Sequence, residues 1–141
     1  MTTPTTTWEA LHRAHVTLTR QFQNRPEFRP VSFREYDALD VLSRAGDDGM
    51  RLNQLNTYVA LTQSSLSRMT ERLEGRGLLH RWQDPDDGRG LRLRLTDDGQ
   101  ALHTTISAAH HAHVQDAMSA LTPEELDTFT RLADKLRGVT P

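Results

Sequence analysis

The sequence contains no cysteine, which excludes disulfides, thiolate metal sites and cysteine redox switches together. Long apolar runs are also missing. No stretch approaches the ~20 apolar residues of a membrane span. The threonine-rich start, Met1 to Thr7, has no basic-then-apolar export pattern. A cytoplasmic protein without a membrane partner is the expectation. The chain has no glycine-rich phosphate loop, nucleophile elbow or metalloprotease helix. Its acidic pairs, Asp86-Asp87 and Asp97-Asp98, fall in a turn and at a helix start, where backbone chemistry accounts for them. Neither an enzyme nor a cofactor is expected.

Apolar residues make up only 35% of the 141 positions. That length suits one domain, residues 1–141. A core this lean leaves the terminal helices poorly covered, and a second copy would cover them. Net charge is −2, which argues against a general nucleic-acid coat. The charge is uneven, however: Arg51 to Arg94 holds eight arginines against five acidic residues. A basic segment in an acidic chain fits one DNA-facing surface.

Trp8, Leu11, His15, Leu18 and Phe22 repeat at helical 3,4 spacing over residues 8–25. That spacing alone explains Trp8 and Phe22 as packing residues. Pro26 and Pro30 then break the chain. Ser32 and Glu35 form a capping box for a second helix, whose apolar face is Phe33, Tyr36, Leu39 and Leu42. A short third helix carries Leu52, Leu55 and Val59 inward. After Ala60 and Leu61, Thr62 caps a fourth helix with Leu66, Met69 and Leu73 on one face. Leu78 to Gln83 and the alternating Leu91, Leu93 and Leu95 read as strands around a turn-rich loop, residues 84–90. Thr96 opens a fifth helix, with Gly99 placed awkwardly in its first turn. Thr122-Pro123-Glu124-Glu125 opens a sixth, which is expected to bury Leu126, Phe129, Leu132 and Leu136.

The expected fold is mainly α (α+β): a winged helix-turn-helix lobe over 32–95, flanked by helices at 8–25 and 97–138 that pair with a second chain. The recognition helix covers about 62–77 and the wing about 79–95. With the leucines inward, the fourth helix turns Ser64, Ser67, Arg68 and Glu71 outward, with Gln63 beside them. Short hydroxyls permit close approach to a major groove, Gln pairs with adenine and Arg with guanine. The positive helix N-terminus favours phosphate. Arg89, in a glycine-flanked loop, suits the strongly negative minor groove, with Asp87 placed to brace it.

In combination, Leu73-Glu74-Gly75-Arg76-Gly77-Leu78, the wing run Asp84-Pro85-Asp86-Asp87-Gly88-Arg89 and the exit Leu95-Thr96-Asp97-Asp98-Gly99 resemble the multiple-antibiotic-resistance regulator (MarR) family of bacterial transcription factors. The resemblance implies a homodimer joined by its first and last two helices. It implies that Gln63, Ser64, Ser67 and Arg68 read the major groove and that Arg89 enters the minor groove. It further implies a repressor on a pseudo-palindromic operator, released by a small aromatic or phenolic ligand. Asn53, Asn56 and Tyr58, and Gly90 after Arg89, depart from the usual pattern.

His15 and Tyr36 have polar ends suited to anchoring such a ligand's carboxylate or phenol. Seven histidines include the helical pairs His12 with His15 and His110 with His113, a spacing that can chelate zinc. A zinc-responsive regulator of the same fold is therefore an alternative reading. A winged helix that binds protein is another, although hydroxyls and arginine on the fourth helix favour DNA over a protein partner.

Overall fold

The computed structural model describes residues 1–88 and 90–139. Among the described residues there are six α-helices and a three-stranded antiparallel sheet. Helix α1 spans Pro4–Gln23, α2 Phe33–Ser43, α3 Leu52–Val59 and α4 Gln63–Gly75. Strand β1 is Met50–Arg51, β2 Leu79–Gln83 and β3 Leu91–Leu95. Helices α5, Asp97–Met118, and α6, Pro123–Arg137, complete the chain. The sheet order is β1-β3-β2, with Arg81 opposite Leu93 and Met50 opposite Leu93 on its other side.

The helices begin where the chain supplies acceptors. Ser32 accepts from the Glu35 amide and Glu35 returns a bond to the Ser32 amide; Thr122 and Glu125 do the same for α6. Thr62 caps α4 and Thr96 caps α5. Helix α1 starts four residues before the position read from its apolar stripe, because Thr3 and Thr6 form a reciprocal hydroxyl box ahead of Pro4. A 3-10 turn, Pro26–Phe28, occupies the proline break and buries Phe28.

The turn joining α3 to α4 is tight. Ala60 takes left-handed dihedrals, φ 49° and ψ 48°. The Asn56 side chain then accepts from the Leu61 amide at 3.0 Å. This explains the asparagine at 56: its amide oxygen closes the helix-turn-helix corner that a hydrocarbon side chain would leave open.

One core holds the lobe. Leu39 and Leu42 of α2, Leu55 of α3, Leu66 and Leu73 of α4, Leu93 of β3 and Ile106 of α5 are all buried. Burying each such side chain contributes roughly 2 kcal/mol. Two expectations change here. Phe22 is buried as its spacing suggests, but Trp8 is 64% exposed and lies beside His12. Helix α6 buries none of its residues: Phe129 is 52% exposed, Leu136 is 77% exposed, and Leu132 and the half-covered Leu126 also lie on this open side. The amphipathic pattern is real, yet among the described residues this face is left largely uncovered.

Candidate nucleic-acid interface

Helix α4 sits with Leu66, Met69, Thr70 and Leu73 against the core. Helical geometry therefore turns Gln63, Ser64, Arg68 and Glu71 outward, all exposed, with Ser67 half-buried beside them. Thr62 accepts from the Ser65 amide at 3.2 Å, so the first turn of α4 is fixed before any ligand arrives. Four of the residues read from sequence as groove contacts are thus on one outward surface at one helix end.

Two grooves flank that surface. One, about 310 Å³, is lined by Ser32 and Arg34 at the start of α2 and by Ser65, Arg68 and Arg72 of α4. Glu35 lies between Arg72 at 3.7 Å and Arg76 at 3.9 Å, tying the two helices without neutralising the arginine row. The other groove, about 390 Å³, separates Gln63 and Ser67 of α4 from Gly90 and Leu91 of the wing, with Arg51 at its edge. Sequence reasoning missed Arg34, Arg51 and Arg72, because the register that brings them to one side depends on how α2, β1 and α4 pack.

The wing is organised from Asp84. This residue is 2% exposed. One carboxylate oxygen accepts from the Asp86 amide at 2.9 Å. The other accepts from Arg51 Nε at 2.6 Å and lies 3.6 Å from Arg92. The Asp86 amide first, then Arg51, holds the Asp84 carboxyl below the usual carboxylate range. The Asp84 amide donates to the Gly90 carbonyl at 2.8 Å and the Gly90 amide to the Asp87 carbonyl at 2.9 Å, closing the loop. Asp87 contributes its carbonyl to that closure and is exposed. Arg89, read from sequence as the minor-groove residue, lies outside the described residues. Behind α4, Arg81 of β2 binds Glu74 at 3.1 Å and lies 3.9 Å from Glu71, fixing the sheet to the helix.

The family model for the MarR family matches residues 31–91, from the entry to α2 through the first residue of β3. The HTH-type transcriptional regulator YkoM of Bacillus subtilis is 31% identical over 101 residues, 72% of this chain and 64% of its own length. AbsC, a MarR family transcriptional regulator from Streptomyces coelicolor, superposes with a TM-score of 0.81 at 28% identity, over 98% of each chain. The chain belongs to the MarR family. This MarR-family chain thus spans less than two thirds of the length of YkoM. BpsR of Bordetella bronchiseptica, whose DNA binding is regulated by 6-hydroxynicotinic acid, superposes at 26% identity with a TM-score of 0.80, over 94% of this chain and 98% of its own.

The two residues singled out for a ligand fall in different surroundings. His15 is exposed on α1; burial first, and then Asp40, raises the Asp37 carboxyl above its ordinary value, with His15 and Arg34 opposing. Tyr36 is 4% exposed and lies parallel to His103 at 5.6 Å, with Phe28 and His110 edge-on at 5.3 and 5.4 Å. Burial, then the charges of Asp40 and Asp37, push its phenol up to about 12. The histidines of α5 engage separate acids: His103 binds Asp40 at 2.9 Å and His113 binds Glu27 at 2.6 Å. Among the described residues, no group of three or more histidines and carboxylates is placed to hold a metal ion. No helix among them is long and apolar enough to cross a membrane.

Proposed function

We propose that this protein is a sequence-specific DNA-binding transcriptional regulator that acts as a homodimer on a pseudo-palindromic operator. The observation that carries the reading is the outward end of α4. There, Gln63, Ser64, Ser67 and Arg68 share one surface, with an arginine-lined groove on one flank and the wing on the other. In this reading the four residues contact bases and phosphates in the major groove, and Arg89 reaches the minor groove. In this reading Asp87 braces Arg89, and Asp84 adds a buried anchor at the base of the wing.

The dimer reading draws on the exposed apolar side chains of α6 and on Trp8 and Val16 of α1. Helices at 8–25 and 97–138 meet a second copy, and the 32–95 lobes then present two recognition helices to half-sites about 34 Å apart. Regulation is by repression relieved by a small aromatic acid or phenol, held at the junction near His15 and Tyr36. The BpsR likeness supports that ligand class.

The deciding experiment titrates the protein into the duplex upstream of its own coding sequence, and into a shuffled duplex, over a range of salt. The expected result is tighter binding to the upstream duplex, with log affinity falling steeply and linearly against log salt. Salt-independent or undetectable binding to both duplexes would remove the DNA-binding reading.

A further inference from the structure

We propose that Arg51, held in place by Asp84, is a further DNA-contacting residue that takes a backbone phosphate of the strand passing between the recognition helix and the wing. The inference rests on the DNA-binding reading above and adds a contact to it.

Arg51 occupies the N-cap position of α3, with extended dihedrals of −70° and 147°. Ser, Thr, Asp or Asn usually stands there, because an oxygen is needed to accept from the first free amides. Arginine has no acceptor, so its side chain contributes nothing to capping. The Arg51 backbone amide is instead covered by Gln54 Oε1 at 3.0 Å. The guanidinium is thereby left for another role, and it extends to the wing rather than along its own helix.

The charge balance around Asp84 points the same way. A single buried carboxylate faces two guanidinium groups, Arg51 and Arg92, so Asp84 offsets only one of these two positive charges. Arg92 is turned inward: its guanidinium donates to the Asp48 carbonyl at 3.0 and 3.2 Å, and its side chain is 24% exposed. Arg51 uses its Nε on Asp84 and keeps 39% of its side chain exposed. The other positive charge therefore reaches solvent through Arg51.

Arg51 opens into the groove of about 390 Å³ between α4 and the wing. In duplex DNA a phosphate backbone separates every major groove from the adjacent minor groove. A protein that puts α4 in one and its wing in the other must pass that backbone between them. Arg51 stands at this crossing, with Gln63 and Ser67 on one side and Asp87, Gly90 and Leu91 on the other. Guanidinium favours phosphate through paired N–H donors. Anchoring Nε on a buried acid fixes the direction of the remaining two nitrogens.

The test measures affinity against salt for the wild type, Arg51→Ala, Arg51→Gln and Arg51→Lys, on the upstream duplex and on a shuffled duplex of equal length. Each phosphate contact contributes about 0.9 to the slope of log affinity against log salt. Two protomers each losing one contact lower the slope by about 2, on both duplexes. Between 50 and 200 mM salt, the alanine variant then loses roughly tenfold less affinity than the wild type. Arg51→Gln keeps a donor for Asp84 without the charge and shows the same reduced slope, which serves if the alanine variant folds poorly. Arg51→Lys retains the wild-type slope. A wild-type slope in either uncharged variant overturns the proposal while leaving the DNA-binding reading intact. A wild type that binds neither duplex overturns both.

Discussion

The carbonyl oxygen of Leu78 occupies the space where a side chain on Gly99 would begin: a Cβ at position 99 would overlap it. The same oxygen accepts from the Thr96 amide at 3.1 Å, while Thr96 Oγ1 donates to Gly77 and accepts from the Gly99 amide. The first turn of α5 is thus clamped onto the segment that leaves α4. Gly99, awkward by helix propensity alone, is the residue that lets the clamp close.

Gly99→Ala is expected to destabilise the fold by about 3 kcal/mol, the upper part of the range for forced overpacking, since the obstruction is backbone and not a movable side chain. Gly75→Ala is the control. Nothing lies within 4 Å of a Cβ there, and alanine in a helix gains up to about 1 kcal/mol over glycine. Urea midpoints of the two variants should move in opposite directions. Equal shifts would show that helix propensity, not the Leu78 contact, decides position 99.

The difference at Gly99 typifies what sequence could and could not show. Elements defined by local chemistry were legible: Ser32 with Glu35, Thr62 before Gln63, and the alternating leucines of β3 all lie where local rules place them. Features set by distant partners were not. Strand β1 is two residues long and exists because Met50 and Arg51 meet β3. Asp84 and Asp87 look alike in a turn-rich run, and the former is the buried one, held in part by Arg51, 33 positions away. The apolar pattern of α6 marked a face to be covered, and among the described residues none of α6 is buried.

At the proposed DNA interface, Arg68→Ala should cost about 1–3 kcal/mol on the upstream duplex and much less on shuffled DNA, the mark of a base contact. Arg34→Ala and Arg72→Ala, which line the neighbouring groove, should weaken both duplexes alike and lower the salt slope. Fluorescence anisotropy on the two duplexes separates these behaviours. Equal losses on both for Arg68→Ala would reassign it to the backbone.

The exposed face of α6 yields a test of assembly. Leu132 and Leu136 are 47% and 77% exposed, so replacing both by glutamate removes little packing within one chain. In a dimer that buries them, two charges per protomer would enter an apolar interface at a cost of several kcal/mol. Sedimentation velocity should then show a monomer for the double variant and a dimer for the wild type. Its far-ultraviolet dichroism should change little, since the core residues are elsewhere. A double variant that remains dimeric would move the interface away from this face.

Acid sensitivity should arise in two separate windows. His110 sits among Phe22, Phe28, Phe33 and Tyr36, with ring centroids 5.1 to 5.7 Å away. Its buried Nδ1 has no hydrogen-bond partner among the described residues. Burial first, and then His111, holds its pKa below the ordinary 6.5, against the opposing charges of Glu27 and Asp40. The unfolded chain therefore binds more protons there than the folded chain just below pH 6.5. Stability falls as pH drops from that value and levels off once the folded residue is protonated as well. Asp84 acts lower on the scale. Its carboxyl is held below the ordinary 3.8, so its contribution is present above that value and is lost as pH falls through the lower folded pKa. His110→Phe should flatten the urea midpoint between pH 7 and 5 and leave the steeper acid limb in place. Asp84→Asn should do the reverse. A His110→Phe profile that parallels the wild type through the upper window would mean that another group carries it.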